Sequence, residues 1–481
     1  MADGRRTHYQ VTFAVLAAGV AAFALLQSLV IPVLTTVQHE LHTSQAAVTW
    51  VLTAYLLSAS IATPILGRVG DMFGKERVFV ATLVALAIGS LMAALAPSIG
   101  VMIVARVIQG LAGGMLPVAF GIIRDEFPAE KVTVAVGMIA ALTAVGAGLG
   151  IVLAGPIVDA LGWRWLFWLP LLLTIAAAVG ALLFVPESPV RSPGRISWLP
   201  AVLLSGWLVA LLLALSEAPD WGWGSARVIG LLTAAVVLAA VWVAAELRAA
   251  TPLIDMTMMR RRAVWTNNLV ALLIGIGMYA TFAFLPEFLQ TPSAAGYGFG
   301  ASITQSGLML LPSAITMFVT GMFAGALAHR LGGKTLVVAG CLIGSVAMAI
   351  LAFAHSAEWE IYLSNAIMGV GFGLAFSAMS ALIVAAVPAH QTGVASGMNA
   401  NIRTIGGSIG AAVMASIVTA RLLPSGLPVE AGYTTGFAVM AGGLVVAALA
   451  GMLIPAPPRR ARPSDEPESP GRQTVTSDLG E

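Results

Sequence analysis

Residues 106–114 read Arg-Val-Ile-Gln-Gly-Leu-Ala-Gly-Gly, and residues 365–373 read Asn-Ala-Ile-Met-Gly-Val-Gly-Phe-Gly. When one stretch is laid over the other, Gly110 coincides with Gly369 and Gly114 with Gly373. The correspondence continues along the chain through Gly67 and Gly325, Gly74 and Gly332, Gly146 and Gly406, and Gly150 and Gly410. Self-similarity over this length predicts two related halves that fold in the same way and pack against each other.

The composition excludes an ordinary soluble domain. Hydrophobic residues make up 59% of the 481 positions and charged residues 10%, with a mean hydropathy of +0.94. Soluble domains are about a quarter charged, so this chain has too few charges to cover its surface against water. Its apolar residues form long runs, and a bilayer-spanning helix needs about twenty such residues. We expect helices because lipid offers no partner to an unpaired backbone group.

Apolar runs of spanning length predict an all-α integral membrane protein with 14 transmembrane helices. The runs cover approximately 11–34, 46–66, 78–96, 100–122, 132–158, 164–184, 198–216, 227–245, 264–288, 303–328, 335–354, 359–387, 396–420 and 434–454. The repeat divides them into two six-helix bundles, an N-terminal one over 11–185 and a C-terminal one over 264–454. Two extra linker helices lie between the bundles, within 198–245.

The basic residues predict the orientation of these helices, because Lys and Arg accumulate on the cytoplasmic side of membrane proteins. With residues 1–10 placed in the cytoplasm, nearly every basic residue falls in a cytoplasmic segment. The exceptions are Arg164, Arg227 and Arg421 on the outer side, and Arg106 and Arg403 within helices. Residues 456–481 are rich in Pro, Arg and acidic residues, so we expect a disordered cytoplasmic tail. Both termini are therefore expected in the cytoplasm.

A glycine-rich basic segment follows the second run and reads Gly67-Arg-Val-Gly-Asp71-Met-Phe-Gly74-Lys75-Glu-Arg77. Its glycines permit a tight turn, and Asp71 can pair with a cation or cap a neighbouring helix. The segment resembles the loop signature of the major facilitator superfamily. The resemblance implies a gating loop, formed by Gly67, Asp71, Gly74, Lys75 and Arg77, that latches the two halves on the cytoplasmic side. A merely solvated loop is the alternative.

Arg106 lies inside the fourth run, where a charge costs about 3 kcal/mol on insertion scales. We therefore expect it to face a cavity or a polar partner. The resemblance implies a role in proton transfer, and the alternative is a structural arginine hydrogen-bonded to the first helix, for example at Gln27. Arg403 is the other charge within a helix.

The number of helices and the phrase Gly162-Trp-Arg-Trp-Leu-Phe167 resemble the 14-helix drug:proton antiporter branch of this superfamily. The resemblance covers about residues 11–454. It implies a secondary active transporter that exports drugs or secondary metabolites in exchange for protons by alternating access. Two departures leave a specific metabolite uniporter or importer of the same fold as the alternative. Gln27 stands where the first helix often carries an acid, and Ile151 follows Gly150 where the branch has proline.

Small residues spaced four apart allow helices to pack closely. Such residues recur in the fourth and fifth runs, where a proline is also present. The candidate helix-packing residues are Gly110, Gly114, Gly146, Gly150, Gly155 and Pro156.

A proton-coupled carrier needs a side chain that gains and loses a proton during its cycle. Most acidic residues fall in loops and tails, which leaves Glu287 and Asp159, each near the outer end of its helix. Together with Arg106 they are the candidates for proton coupling. Alternatively, Glu287 meets interfacial water and Asp159 pairs with Arg164.

A cavity for amphipathic molecules is expected to be apolar and aromatic, with a few polar anchors. Polar and aromatic residues within the runs are therefore candidates for substrate binding. They are Gln27, Trp50, Tyr55, Gln109, Met115, Asn267, Asn268, Tyr279, Asn365 and Asn399. Each has a structural alternative, since tryptophan also populates the membrane interface and methionine also fills gaps.

The energy source and the partners of the protein can also be predicted. The sequence holds no GxxxxGK[ST] phosphate loop, no cluster of metal ligands and no nucleophile elbow, so we expect neither an enzyme nor a protein with a cofactor or metal. A proton gradient would supply the energy. The expected partners are the lipid bilayer of the inner (cytoplasmic) cell membrane, a small amphipathic organic substrate and protons, with no nucleic acid. We expect a monomer.

Overall fold

The computed structural model describes residues 9–43, 45–187, 197–249 and 252–455. Fourteen helices in this part of the chain are long and apolar enough to cross a membrane. We number them α1 Tyr9–Val33, α2 Trp50–Phe73, α3 Lys75–Ala94, α4 Ile99–Glu126, α5 Ala129–Leu161, α6 Trp165–Phe184, α7 Trp198–Pro219, α8 Ala226–Arg248, α9 Arg262–Gln290, α10 Ile303–Leu331, α11 Gly333–Phe353, α12 Glu358–Ala386, α13 Thr392–Val418 and α14 Glu430–Gly451. The predicted all-α membrane fold is confirmed, and the described residues contain no β-strand beyond one isolated bridge between Leu422 and Pro428. The predicted tail, residues 456–481, and most of the predicted N-terminus lie outside the described residues.

Successive helices run in opposite directions and define two faces of the molecule. The near face is where α1 begins, and it includes the turns at Gly74 and Gly332. The far face is where α1 ends, and it includes the turns at Gly162, Gly222 and Gly296. All five of these glycines have positive φ, the backbone region that favours glycine.

The structure corrects the prediction of a loop over residues 67–77. The segment continues α2 as helix as far as Phe73, and α3 begins at Lys75. Only Gly74, with φ of +119°, departs from helical geometry. The apolar run stops at Leu66, but the helix continues because its backbone hydrogen bonds do not depend on apolar side chains.

Two apolar cores correspond to the two halves of the chain. The first includes side chains of α1–α6, such as Leu16, Leu83 and Phe120, and the second includes side chains of α9–α14, such as Phe288, Phe372 and Leu444. The first core also takes in the near ends of α12 and α13, through Val384 and Val394. The halves are therefore joined through apolar contacts at the near face.

The halves meet along two seams. In one, α5 lies along α10 and α12; in the other, α2 lies along α13. The extra hairpin α7–α8 sits beside the second seam, where α7 contacts both α2 and α13. Helix α8 turns large apolar side chains such as Val236 outward, as expected for a surface that faces lipid.

The predicted helix-packing glycines lie at close helix contacts. A Cβ added to any of them would fall within 3.0 Å of an atom on a neighbouring element; these glycines are Gly110, Gly114, Gly146, Gly150 and Gly155. Gly155 packs against Thr304 across the α5–α10 seam. Pro156, next to it, lies within α5 and is exposed.

We expect Gly155→Leu to destabilise the protein, because its side chain would overlap Thr304 and separate α5 from α10. Overpacking of this kind costs about 1–3 kcal/mol. Thermal unfolding in detergent measures the effect. The matched control is Gly230→Leu, since Gly230 in α8 has no atom within 4 Å of an added Cβ. Equal unfolding temperatures for the two variants would contradict the close seam.

Candidate functional site

A cavity of about 450 Å³ lies between the two halves. Its walls come from α1, α2, α7, α9 and α13 and are mostly apolar. The polar side chains that line it are Gln27, Thr53, Tyr55, Ser216, Tyr279, Thr404 and Ser408. An apolar chamber with a few polar groups is the usual form of a site for a small organic molecule.

A second space of about 540 Å³, the vestibule, adjoins the cavity. The two spaces share Ile31 and Ala283, and the vestibule also includes Pro292 and Pro428 from connections at the far face. The vestibule therefore lies between the cavity and the far face.

Glu287 lines this vestibule and is exposed to it. Its carboxylate accepts a hydrogen bond of 3.0 Å from the hydroxyl of Tyr433 in α14. Asp159 is also exposed, near the far end of α5. Of these two candidates for proton coupling, only Glu287 lines the space between the halves.

Helix α7 forms one wall of the cavity through Leu212, Leu215, Ser216 and Pro219. The Ser216 and Thr53 hydroxyls are 3.2 Å apart, which joins α7 to α2. The extra hairpin is therefore more than a covalent linker between the bundles.

The near end of the interface is closed by contacts between α2 and α13. A Cβ on Gly67 would lie 2.5 Å from the carbonyl oxygen of Gly393, so the two backbones touch. The Asp71 carboxylate accepts a hydrogen bond of 3.4 Å from the backbone N–H of Val394, near the start of α13. A carboxylate is favoured there because the N-terminal end of a helix is partly positive.

Lys75 is buried between two carboxylates. Its ammonium is 3.8 Å from Asp71 and forms an ion pair with Asp125. Arg77 is largely exposed and pairs at 3.2 Å with Glu187, whose carboxylate also lies against Gly74. The five predicted gating residues therefore lie together at the near end of α2 and α3.

Arg124 was not among the predicted site residues, yet it crosses the near seam. It donates a hydrogen bond of 2.9 Å to the Thr392 hydroxyl and another to the Val384 carbonyl. Its position at the end of an apolar run is typical of a solvated basic residue, so no sequence pattern pointed to this contact.

Arg106 is fully buried in α4. Its Nε donates to the Val51 carbonyl at 3.1 Å, and one terminal nitrogen donates to Gln109 at 2.8 Å. The guanidinium lies 4.2 Å from the centre of the Tyr55 ring. The expected polar partner is therefore found, but it is Gln109 and α2 rather than Gln27, which lines the cavity instead.

Arg403 occupies a comparable position in the second half. Its guanidinium lies 4.1 Å from the centre of the Phe376 ring, and Arg403 is one helical turn before Gly407 in α13. Tyr279 lines the cavity and packs on Gly407, where a Cβ would overlap the ring.

Among the other predicted substrate-binding residues, several are engaged elsewhere. Gln109 also donates a hydrogen bond to Ser90. Asn399 donates one of 2.9 Å to Asn268. Asn365 donates one to the carbonyl of Ile361 in its own helix. Asn267 donates to the Met379 carbonyl and Met115 is buried in the first core. Trp50 lines a separate apolar groove formed by α2, α3 and α4. Only Gln27, Tyr55 and Tyr279 of the predicted set line the cavity.

The sequence profile of the Major Facilitator Superfamily matches residues 16–411 of this chain. The chain belongs to that superfamily. It is 29% identical over 425 residues to the tetracenomycin C resistance and export protein of Streptomyces glaucescens, covering 88% of this chain and 78% of that protein. It is 30% identical to a multidrug resistance protein B homolog of Mycobacterium tuberculosis, over 78% of this chain and 70% of that protein.

A solved structure has the same fold. The human organic anion transporter MFSD10 superposes with a TM-score of 0.69 at 16% identity, covering 94% of this chain and all of that one. At this identity the likeness concerns the fold alone. The protein is thus a multi-pass membrane transporter of the major facilitator type, a class that acts on small molecules, with relatives named for multidrug resistance and for resistance to and export of tetracenomycin C.

We expect Arg124→Gln to loosen the near face, because it removes two hydrogen bonds from a charged donor, each worth about 1.5–3 kcal/mol. The measurement is alkylation of a cysteine at Ser396→Cys, a buried position one turn into α13, in a Cys341→Ala background. The variant should react with N-ethylmaleimide at least about tenfold faster. Arg330→Gln, an exposed cation on the same face, is the control. Unchanged labelling in Arg124→Gln would show that this residue does not hold the seam closed.

Proposed function

We propose that the protein is a proton-coupled exporter of small amphipathic organic molecules that works by alternating access. The observation that carries the proposal is the cavity between the halves, which has the vestibule on its far side while α2 and α13 touch at the near face. The tetracenomycin C relative, which is named for export, supports export as the direction.

The near face is assigned to the cytoplasm, because most of the basic residues of the described chain lie there. The membrane is then the inner cell membrane, with both termini inside, and the described conformation faces outward. In the inward-facing conformation the α2–α13 contact would open and the far ends would close. This step would move Gly67 away from Gly393 and break the hydrogen bonds of Asp71 and Arg124.

Protons would enter from outside, and Glu287 is placed to receive them. Its carboxylate is exposed in the vestibule and bonded to the Tyr433 hydroxyl, a partner that serves either protonation state as donor or acceptor. Loss of its negative charge on protonation would change how the far ends of α9 and α14 pack. The proton gradient, rather than a cofactor or ATP, would drive export by a monomer that acts as a carrier and not as an enzyme.

Transport in inside-out vesicles with an imposed proton gradient tests this proposal. A panel of lipophilic dyes is added and the lumenal pH is followed. We expect a transported dye to release lumenal protons through the wild-type protein, and Glu287→Gln to abolish this release while dye binding persists. Asp159→Asn removes the other candidate acid at the same face and should leave release intact.

The outcomes separate the alternatives. Proton release by Glu287→Gln equal to that of the wild-type protein would remove Glu287 from the coupling mechanism. Dye movement with no proton release in either protein would favour a uniporter of the same fold.

A further inference from the structure

The wall of the cavity carries an aromatic hydroxyl from each half. Tyr55 comes from α2 and Tyr279 from α9, and both line the same chamber. The Tyr55 hydroxyl is buried and has no hydrogen-bond partner within the described part of the protein.

A buried guanidinium lies close to each tyrosine. Arg106 packs 4.2 Å from the centre of the Tyr55 ring, and Arg403 lies one helical turn before Gly407, on which Tyr279 packs. Arg106 is fully buried, and Arg403 is only 5% exposed. Each cation is therefore close to a tyrosine that lines the cavity.

Neither guanidinium forms an ion pair with a described carboxylate. The neighbours of Arg106 are a carbonyl, an amide and a ring, all of them neutral, and Arg403 contacts the Phe376 ring. One nitrogen of each, Nη2 of Arg106 and Nε of Arg403, is buried without a hydrogen bond in the described structure. A guanidinium does not lose its proton in proteins, so both charges persist.

The lining of the cavity does not offset these charges. Among its described lining residues none is acidic, and Glu287 lies beyond it in the vestibule. Charges act over longer distances inside a protein than in water because the dielectric constant is lower. The part of the cavity beside Tyr55 and Tyr279 is consequently a region of positive potential with at least one unused hydrogen-bond donor.

We propose that the cavity selects amphipathic organic anions, whose carboxylate or phenolate group would accept hydrogen bonds at Tyr55 and Tyr279. The apolar body of the molecule would lie against the α7 wall and Phe282. This inference rests on the proposed export function and specifies its substrate class. A cationic amphiphile of the same size would meet the same apolar walls and be disfavoured by the two guanidinium groups.

Three anthracene derivatives test the charge preference on one scaffold. They are 9-anthracenecarboxylate, the neutral 9-anthracenecarboxamide and cationic 9-(aminomethyl)anthracene. Binding to the purified full-length protein in lipid nanodiscs is followed by fluorescence at neutral pH. We expect the carboxylate to bind most tightly and the amine most weakly.

Variants at the cavity assign this preference to named groups. Arg403→Gln should weaken carboxylate binding by about tenfold or more and leave amide binding within about twofold, since only the anion interacts with the lost charge. Arg403→Lys should restore part of the preference, and Tyr55→Phe should weaken the carboxylate alone. Unchanged amide binding shows that each variant is folded. Arg421→Gln removes an exposed far-face cation and should change nothing.

Two results would overturn the inference. The first is that the amine binds as tightly as the carboxylate. The second is that Arg403→Gln either leaves the carboxylate affinity unchanged or lowers the affinity for all three compounds equally. In either case, dye-dependent proton release in vesicles would still support export, so failure of the charge preference is distinguishable from failure of the proposed function.

Discussion

A charge placed within a membrane-spanning helix costs several kcal/mol unless polar groups or water surround it. This constraint accounts for where the chain places its few charged side chains. Lys75 and Asp71 are buried at the near end of α2 and α3, where each has an opposite charge close by. Glu287 sits where the vestibule admits water, and only Arg106 and Arg403 remain deep in the bundle without an acidic partner in the described chain.

The two seams between the halves are closed by different kinds of contact. Along α5 and α10 the contacts are between small residues such as Gly148 and Ala314, and they extend towards both faces. At the near end of α2 and α13 the contacts include hydrogen bonds from Arg124 and to Asp71. A seam of small apolar contacts can slide or pivot at little cost. Hydrogen bonds at one end instead give a closed state that is stabilised by a few discrete interactions.

The sequence predicted the number of spanning helices because each apolar run is a local property of the chain. It was wrong about residues 67–73, where the helix continues beyond its apolar residues.

It was harder to predict the roles of polar side chains within helices. Asn399, Gln109 and Tyr55 look alike as candidates, since each is a polar group in an apolar run. Asn399 is satisfied by Asn268 and Gln109 by Arg106 and Ser90, whereas Tyr55 borders the cavity. Which outcome applies depends on the rotation and packing of neighbouring helices, and no local pattern encodes that.

The internal repeat does not extend to the charges beside the cavity. The counterpart of Arg106 is Asn365, and the counterpart of Arg403, by the pairing of Gly146 with Gly406, is Thr143. The halves thus share their close-packing glycines but place a guanidinium on different helices, α4 in one and α13 in the other. Arg106 nevertheless packs on Tyr55, and Arg403 lies one helical turn from Gly407, on which Tyr279 packs; both tyrosines line the cavity. Glycines recur at equivalent positions because the shared fold needs the same close contacts in both halves. The guanidinium groups are not required by that repeat, since each half folds with a neutral residue at the position where the other is charged.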